Sequence, residues 1–192
     1  MDVQKFLEPT VNVERLVEIL DGLGHEGRIH TTRTWSKKEM SRIFDAVKGH
    51  RPIDVDYVVP ISEPLVEVQH DLHNALGLPG KFQKRFAKIA GDPSVVVGFN
   101  VQPYTAFAGP GYFTASKGEG EHEGELVIEY TKIPKEKPEG WPKIVENAGL
   151  IPGIVYGGMT DYLRGISTHV SIGKAFKGGK PRGEWFALVR RD

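Results

Sequence analysis

The segment Gly98–Ser116 constrains the fold of this chain more than any other. It reads GFNVQPYTAFAGPGYFTAS, and aromatic residues alternate with small ones on both sides of a Gly-Pro-Gly turn. Glycine and proline are typical of sharp turns, and alternation with a period of two is typical of a strand. We therefore predict two antiparallel strands here, folded against each other in a core or in the wall of a pocket.

The second half of the chain is rich in glycine, which favours short strands and tight turns. Of the 23 glycines, 17 lie at or after Gly91. The turns between successive strands are short, which predicts antiparallel neighbours, because a parallel crossover needs about a dozen residues or more. The predicted strands are Val95–Phe107, Tyr112–Ser116, Glu125–Ile133, His169–Phe176 and Glu184–Arg190. A short helix is predicted between Ile154 and Arg164.

Helical signals are concentrated in the first half. Asn12 is a suitable N-cap for a helix that ends near Gly22, and Ser36 with Glu39 forms a capping box at the start of a second helix. Lys81–Ala90 places its apolar residues at helical spacing, so we predict a helix there as well; pairing of residues 83–86 as an edge strand is the alternative.

Three further segments of the first half alternate or are rich in β-branched residues. Arg28–Thr34 and Ile53–Val59 are predicted to be strands. Leu65–His70 is compatible with either a strand or the start of a short helix. The order of elements, helices first and strands later, predicts an α+β fold in one domain spanning residues 1–192. We expect a curled, mainly antiparallel sheet, resembling a partly open barrel, with the N-terminal helices packed on it; a flat sheet with one helical layer is the alternative.

Composition excludes several classes of site. The chain has no cysteine, which rules out disulfides and thiolate metal sites. Its 25 basic and 25 acidic residues give no overall field that would attract nucleic acid. No apolar run approaches the roughly 18 residues of a membrane helix, and the N-terminus lacks the apolar run of a signal peptide. We therefore expect a cytoplasmic protein that binds neither nucleic acid nor membranes.

Glu67, His70 and His73 form the one dense cluster of potential metal ligands in the sequence. On a helix the three side chains would share a face, whereas on a strand His70 and His73 would point to opposite faces. The spacing matches no metal-binding motif, so we predict no metal site and no cofactor.

Four residues are the predicted polar contacts of a ligand. Tyr104 and Tyr112 carry hydroxyls in the aromatic segment, and Arg164 and His169 could bind an acidic group. We expect a protein that binds a small apolar or acidic molecule in a pocket inside the curled sheet, and the sequence leaves open whether it is an enzyme. The alternative is a homodimeric interaction or structural module whose aromatic face forms the subunit contact.

Overall fold

An antiparallel β-barrel is the centre of the molecule. The computed structural model describes residues 7, 10–74, 80–103, 105–148 and 150–192. The strands in these residues are β1 (Val68–Asn74), β2 (Phe82–Lys88), β3 (Val95–Val101), β4 (Phe113–Lys117), β5 (Leu126–Glu129), β6 (Met159–Gly165), β7 (Val170–Lys177) and β8 (Lys180–Arg190). Each strand pairs antiparallel with the next, and β8 pairs back with β1, where His70 lies opposite Arg190. The predicted α+β class with a curled antiparallel sheet is confirmed, and the barrel is closed rather than partly open.

Helices cover one side and both ends of the barrel. They are α1 (Val13–Gly22), α2 (His25–Arg33), α3 (Lys37–Ala46), α4 (Val55–Val58), α5 (Thr105–Ala108) and α6 (Leu150–Val155). Leu20 of α1 and Met40 of α3 are fully buried in one apolar cluster with Ile172 and Val189 from the outer faces of β7 and β8. None of the helices in the described ranges is long and apolar enough to cross a bilayer.

The inside of the barrel is apolar towards the end that α4 closes. Val55 and Val58 of α4 belong to the same buried cluster as Phe86 and Leu188 of the barrel wall. The ring of His70 lies against Phe86, and a ring nitrogen of His70 is 2.9 Å from the carbonyl oxygen of Val58. This end is therefore packed with side chains from α4 and the barrel wall.

β3 and β4 pair antiparallel, as predicted for the aromatic segment, but β3 ends at Val101 and the rest of the predicted strand Val95–Phe107 leads into the helix α5 (Thr105–Ala108). Gly98 lies opposite Phe113, and a Cβ atom at Gly98 would come within 2.4 Å of that ring. The ring of Phe113 is inside the barrel, whereas Phe99 and Tyr112 lie outside it against Trp141. Phe99 and Tyr112 are therefore covered by the chain itself.

Two predicted strands are helices. Arg28–Thr34 falls within or next to α2, and Ile53–Val59 contains α4. The hydroxyl of Thr32 donates to the carbonyl of Ile29 within α2, an interaction that compensates for the low helix propensity of a β-branched residue. Asp54 caps α4, since its carboxylate accepts from the backbone N–H groups of residues 56 and 57.

Two predicted helices are also wrong, since strand pairing replaces the helix that their local sequence patterns predict. Lys81–Ala90 contains β2, which hydrogen-bonds to strands on both sides. The helix predicted between Ile154 and Arg164 lies mainly in β6, and α6 overlaps it only at residues 154 and 155. β1 resolves the open alternative at Leu65–His70, since the strand begins at Val68.

Candidate ligand site inside the barrel

A cavity of about 520 Å³ lies inside the barrel, at the end opposite α4. Its wall is largely apolar and includes Leu72, Phe82 and Phe186 from the barrel strands. The wall continues to α6, where Ile154 is 69% exposed, so the cavity opens to solvent at this end. The volume is within the usual range for sites that bind small molecules.

Four polar side chains, three from barrel strands and one from the residue that follows β5, meet at the inner end of the cavity. We call them the polar cluster: Lys84, Asn100, Tyr130 and Asp161. The ammonium nitrogen of Lys84 lies 3.0 Å from Oδ1 of Asn100 and 3.3 Å from Oδ2 of Asp161, and it also donates to the hydroxyl of Tyr130. The Tyr130 hydroxyl donates to Oδ2 of Asp161 at 3.2 Å. The cluster is therefore one connected hydrogen-bond network.

The surroundings of Lys84 are unusual for a lysine. Lys84 and Asp161 are each only 2% exposed. The Lys84 nitrogen lies 5.0 Å from the ring centres of both Phe113 and Tyr130, and 5.2 Å from that of Phe186. Lysines are almost never fully buried without a partner, and Asp161 is the partner here.

Burial acts in opposite directions on the two charged groups of the cluster. It lowers the pKa of Lys84, and the adjacent Asp161 opposes this effect. Burial likewise raises the pKa of Asp161, and Lys84 opposes it. The pKa of Tyr130 is raised well above its ordinary value, first by burial and then by the Asp161 charge. Both shifts of the ion pair favour the neutral forms, an amine and a carboxylic acid.

Asp161 carries the one unsatisfied atom of the cluster. Its Oδ1 atom is buried and has no hydrogen-bond partner among the described residues. Buried polar atoms without a partner are rare, because each costs about 1–3 kcal/mol. Asp161 also lines the cavity, so this unsatisfied atom belongs to a residue of the candidate site.

The Gly-Pro-Gly turn holds the cluster in place. The amide nitrogen of Asn100 donates to the carbonyl of Gly111 at 3.0 Å, which orients Oδ1 of Asn100 towards Lys84. Gly111 has a φ of +56°, and a Cβ atom there would lie 2.4 Å from the ring of Tyr156. That ring stacks on Tyr130 with 5.5 Å between ring centres. The turn therefore supports two members of the polar cluster, one of them through Tyr156.

The open end of the cavity is formed by α6 and the start of β8. The ammonium group of Lys177 donates to the carbonyl of Ile154 at 2.6 Å, which attaches the end of α6 to β7. Arg182 and Glu184, both at the wall of the cavity, form an ion pair at 3.1 Å. The entrance therefore combines exposed apolar residues with one ion pair.

The structure does not bring together the three predicted contact residues that it describes, Tyr112, Arg164 and His169. Tyr104 lies outside the described residues. The hydroxyl of Tyr112 donates to the carbonyl of Pro142 at 2.5 Å on the outer face of the barrel. Arg164 pairs with Glu125 at 2.6 Å, also outside the cavity. His169 lies near Asp192, 3.1 Å from its carboxylate. A role for these residues in ligand binding stays a prediction, since other residues line the cavity.

The predicted histidine cluster is divided between the two faces of β1. His70 points into the barrel, and His73, three residues later, belongs to the other face. Within the described part of the chain, no three histidine, aspartate or glutamate side chains are arranged to hold a metal ion.

None of the four members of the polar cluster is among the predicted ligand contacts. Lys84 was assigned to the polar face of a helix, although Phe82, Lys84 and Phe86 alternate along one side of a strand. Asp161 stands likewise between Met159 and Leu163 on the inner side of β6. A lysine or aspartate flanked at two-residue spacing by apolar side chains was the signal that could have identified them.

Comparison with models of known protein families gives no match for this chain, and a search of curated proteins finds no relative at a significant level. The functional argument therefore depends on the geometry of the site.

Proposed function

We propose that the protein binds a small, mainly apolar molecule inside the barrel, with one polar group of that molecule at the polar cluster. The observation that carries this proposal is the cavity of about 520 Å³, which leads from the exposed residue Ile154 to the buried pair Lys84 and Asp161. Ligand sites typically combine an apolar wall with a few convergent polar groups.

The polar cluster favours a neutral oxygen at the inner end of the ligand. An oxygen placed beside Lys84 can accept a hydrogen bond from its nitrogen. A carboxylate at the same place would lie close to Asp161 and would be repelled whenever Asp161 is charged. A carbonyl or hydroxyl group therefore fits this end better than an acidic group.

Ala175 offers a direct test, because its side chain lines the cavity opposite Asp161 in the strand pairing. N-phenyl-1-naphthylamine, a neutral apolar dye whose fluorescence rises in apolar surroundings, is the probe. We expect the dye to bind, and Ala175→Leu to weaken binding at least about tenfold, or about 1.4 kcal/mol. The larger side chain would occupy empty space, so thermal stability is expected to be kept or raised.

Ala115→Leu is the matched control. Ala115 also lies in the barrel core and is 1% exposed, but it does not line the cavity. This substitution is expected to cost about 1–3 kcal/mol of stability through overpacking and to leave dye affinity unchanged. Equal dye binding by the wild type and Ala175→Leu would contradict the proposal. So would a loss of stability in Ala175→Leu as large as in the control, since it would mean a solid interior.

A further inference from the structure

We propose that Lys84 forms an imine with an aldehyde or ketone bound in the cavity. The inference rests on the proposed function and names the chemical class of the ligand. Among the described residues that line the cavity, Lys84 is the only lysine, and the other basic residue, Arg182, has a guanidinium group that does not form imines.

The position of Lys84 differs from that of a lysine in a purely structural ion pair. A structural pair is expected to use all its hydrogen-bonding atoms, because each unpaired buried atom destabilises the fold. Here Oδ1 of Asp161 is unpartnered, and both residues border open space. The pair thus borders the cavity and includes one acceptor atom that no described residue satisfies.

The environment also favours the reactive form of the amine. Only an unprotonated amine attacks a carbonyl carbon, and lysines in apolar pockets are activated by losing the stabilisation that water gives their charge. Three aromatic rings surround the nitrogen at 5.0 to 5.2 Å, and burial lowers the pKa of Lys84. Transfer of its proton to Asp161 gives an amine beside a carboxylic acid.

Asp161 can perform every proton transfer of the reaction. The amine of Lys84 attacks the carbonyl carbon and forms a C–N bond, while the π electrons move to the oxygen, which takes the Asp161 proton. The carboxylate then removes a proton from the nitrogen and returns it to the hydroxyl group. That group leaves as water as the nitrogen lone pair forms the C=N bond. The products are a protonated imine, an Asp161 carboxylate and one water molecule, so atoms and charge balance.

The other two members of the cluster position these groups. Asn100 holds the Lys84 nitrogen at 3.0 Å and is itself fixed by the carbonyl of Gly111. Tyr130 bridges Lys84 and Asp161 and can donate to a carbonyl oxygen that takes the place of one of them. Both are positioning residues in this account.

Reductive trapping tests the inference. The protein is incubated with 2-nonanone, an apolar ketone, and sodium cyanoborohydride, which reduces an imine to a stable secondary amine; peptide mapping by mass spectrometry then locates the label. We expect labelling of Lys84 at least about tenfold faster than of any other described lysine, because Lys84 alone among them lines the cavity, where a bound ketone is held beside its amine.

Lys88→Met is the matched control, because Lys88 lies on the same strand and pairs with the exposed Asp56. This variant is expected to keep the label at residue 84, whereas Lys84→Met is expected to lose it. If Lys84→Met does not fold because Asp161 is left unpaired, the double variant Lys84→Met, Asp161→Leu removes both charges together and gives the same comparison.

Displacement of N-phenyl-1-naphthylamine by 2-nonanone, measured without reductant, separates the two proposals. Displacement together with selective labelling of Lys84 supports both. Displacement without labelling of Lys84, or with labelling no faster than that of the surface lysines, overturns the imine and leaves the binding function standing. Failure of 2-nonanone to displace a bound dye overturns the imine alone, and failure of the dye itself to bind contradicts the proposed function.

Discussion

His70 shows how strongly the barrel interior acts on a single side chain. It is buried against Phe86 and α4; Nε2 donates to the Val58 carbonyl, and Nδ1 has no hydrogen-bond partner among the described residues. Burial is the main reason why the pKa of His70 falls to about 3; Arg190 and His169 add to the shift, and the Val58 hydrogen bond and Asp71 oppose it. This imidazole therefore stays neutral in the folded protein over most of the acidic range.

The pH dependence of stability tests the state of His70. An unfolded chain binds a proton at His70 below pH 6.5, whereas the folded protein does so only near pH 3. The unfolded state thus binds more protons between these values, so stability is lost as the pH falls from 6.5 towards 3. We expect His70→Gln to reduce this loss by up to about 1.4 kcal/mol per pH unit in urea unfolding experiments. Asp71, Arg190 and His169 are present in both proteins, so the difference between the two slopes reports His70. Identical slopes would contradict the account.

At the residue scale, the sequence predicted where polar side chains occur but not which way they point. Arg164 and Asp161 are three residues apart and lie on opposite faces of β6, since Asp161 is in the polar cluster and Arg164 pairs with Glu125 outside. One register shift would exchange the two faces. Register depends on the neighbouring strands, and a single segment does not contain that information.

At the element scale, elements that are determined by neighbouring residues were predicted correctly, and elements that depend on distant strands were not. The capping box at Ser36 and Glu39 acts within four residues, and α3 begins where it predicts. β2 was predicted as a helix because its stability comes from β1 and β3, which lie before and after it in the chain. The Gly-Pro-Gly turn is, like the capping box, determined by neighbouring residues, because its own glycines set its conformation.

Gly111 is the position where this turn is most sensitive. Its φ of +56° disfavours any side chain, and a Cβ atom would also clash with Tyr156. We expect Gly111→Ala to cost about 1–2 kcal/mol for the backbone conformation, and about 1–3 kcal/mol more for displacing the ring. Dye binding should also weaken, because Tyr156 lines the cavity.

Gly140→Ala provides the comparison for that substitution. Gly140 has a φ of +80°, but nothing lies within 4 Å of an added Cβ atom. In chemical unfolding, Gly140→Ala should lose only the about 1–2 kcal/mol that the backbone conformation costs. Its dye affinity should equal that of the wild type. Equal losses in the two variants would mean that Tyr156 does not pack on the turn.

At the scale of the whole molecule, composition and the order of helices and strands predicted the fold class, but they did not predict that the barrel is closed. Helices in the first half, glycine-rich strands in the second and short turns are enough to predict an α+β protein with a curled antiparallel sheet. The closing contact joins His70 to Arg190, two strands that are far apart in the chain, and it therefore leaves no local pattern. The cavity results from that closure, together with α4 at one end and the entrance beside α6 at the other.

The most direct test of the central claim, that the interior of the barrel is a ligand site, uses the methionines. The chain has three methionines. Met159 lines the cavity, whereas Met40 is fully buried between α3 and the outer face of the barrel. In NMR spectra of protein labelled with ¹³C at the methionine methyl groups, titration with N-phenyl-1-naphthylamine is expected to shift the Met159 signal and to leave that of Met40 in place. A titration that shifts Met40 but not Met159, or that shifts neither, would contradict the account.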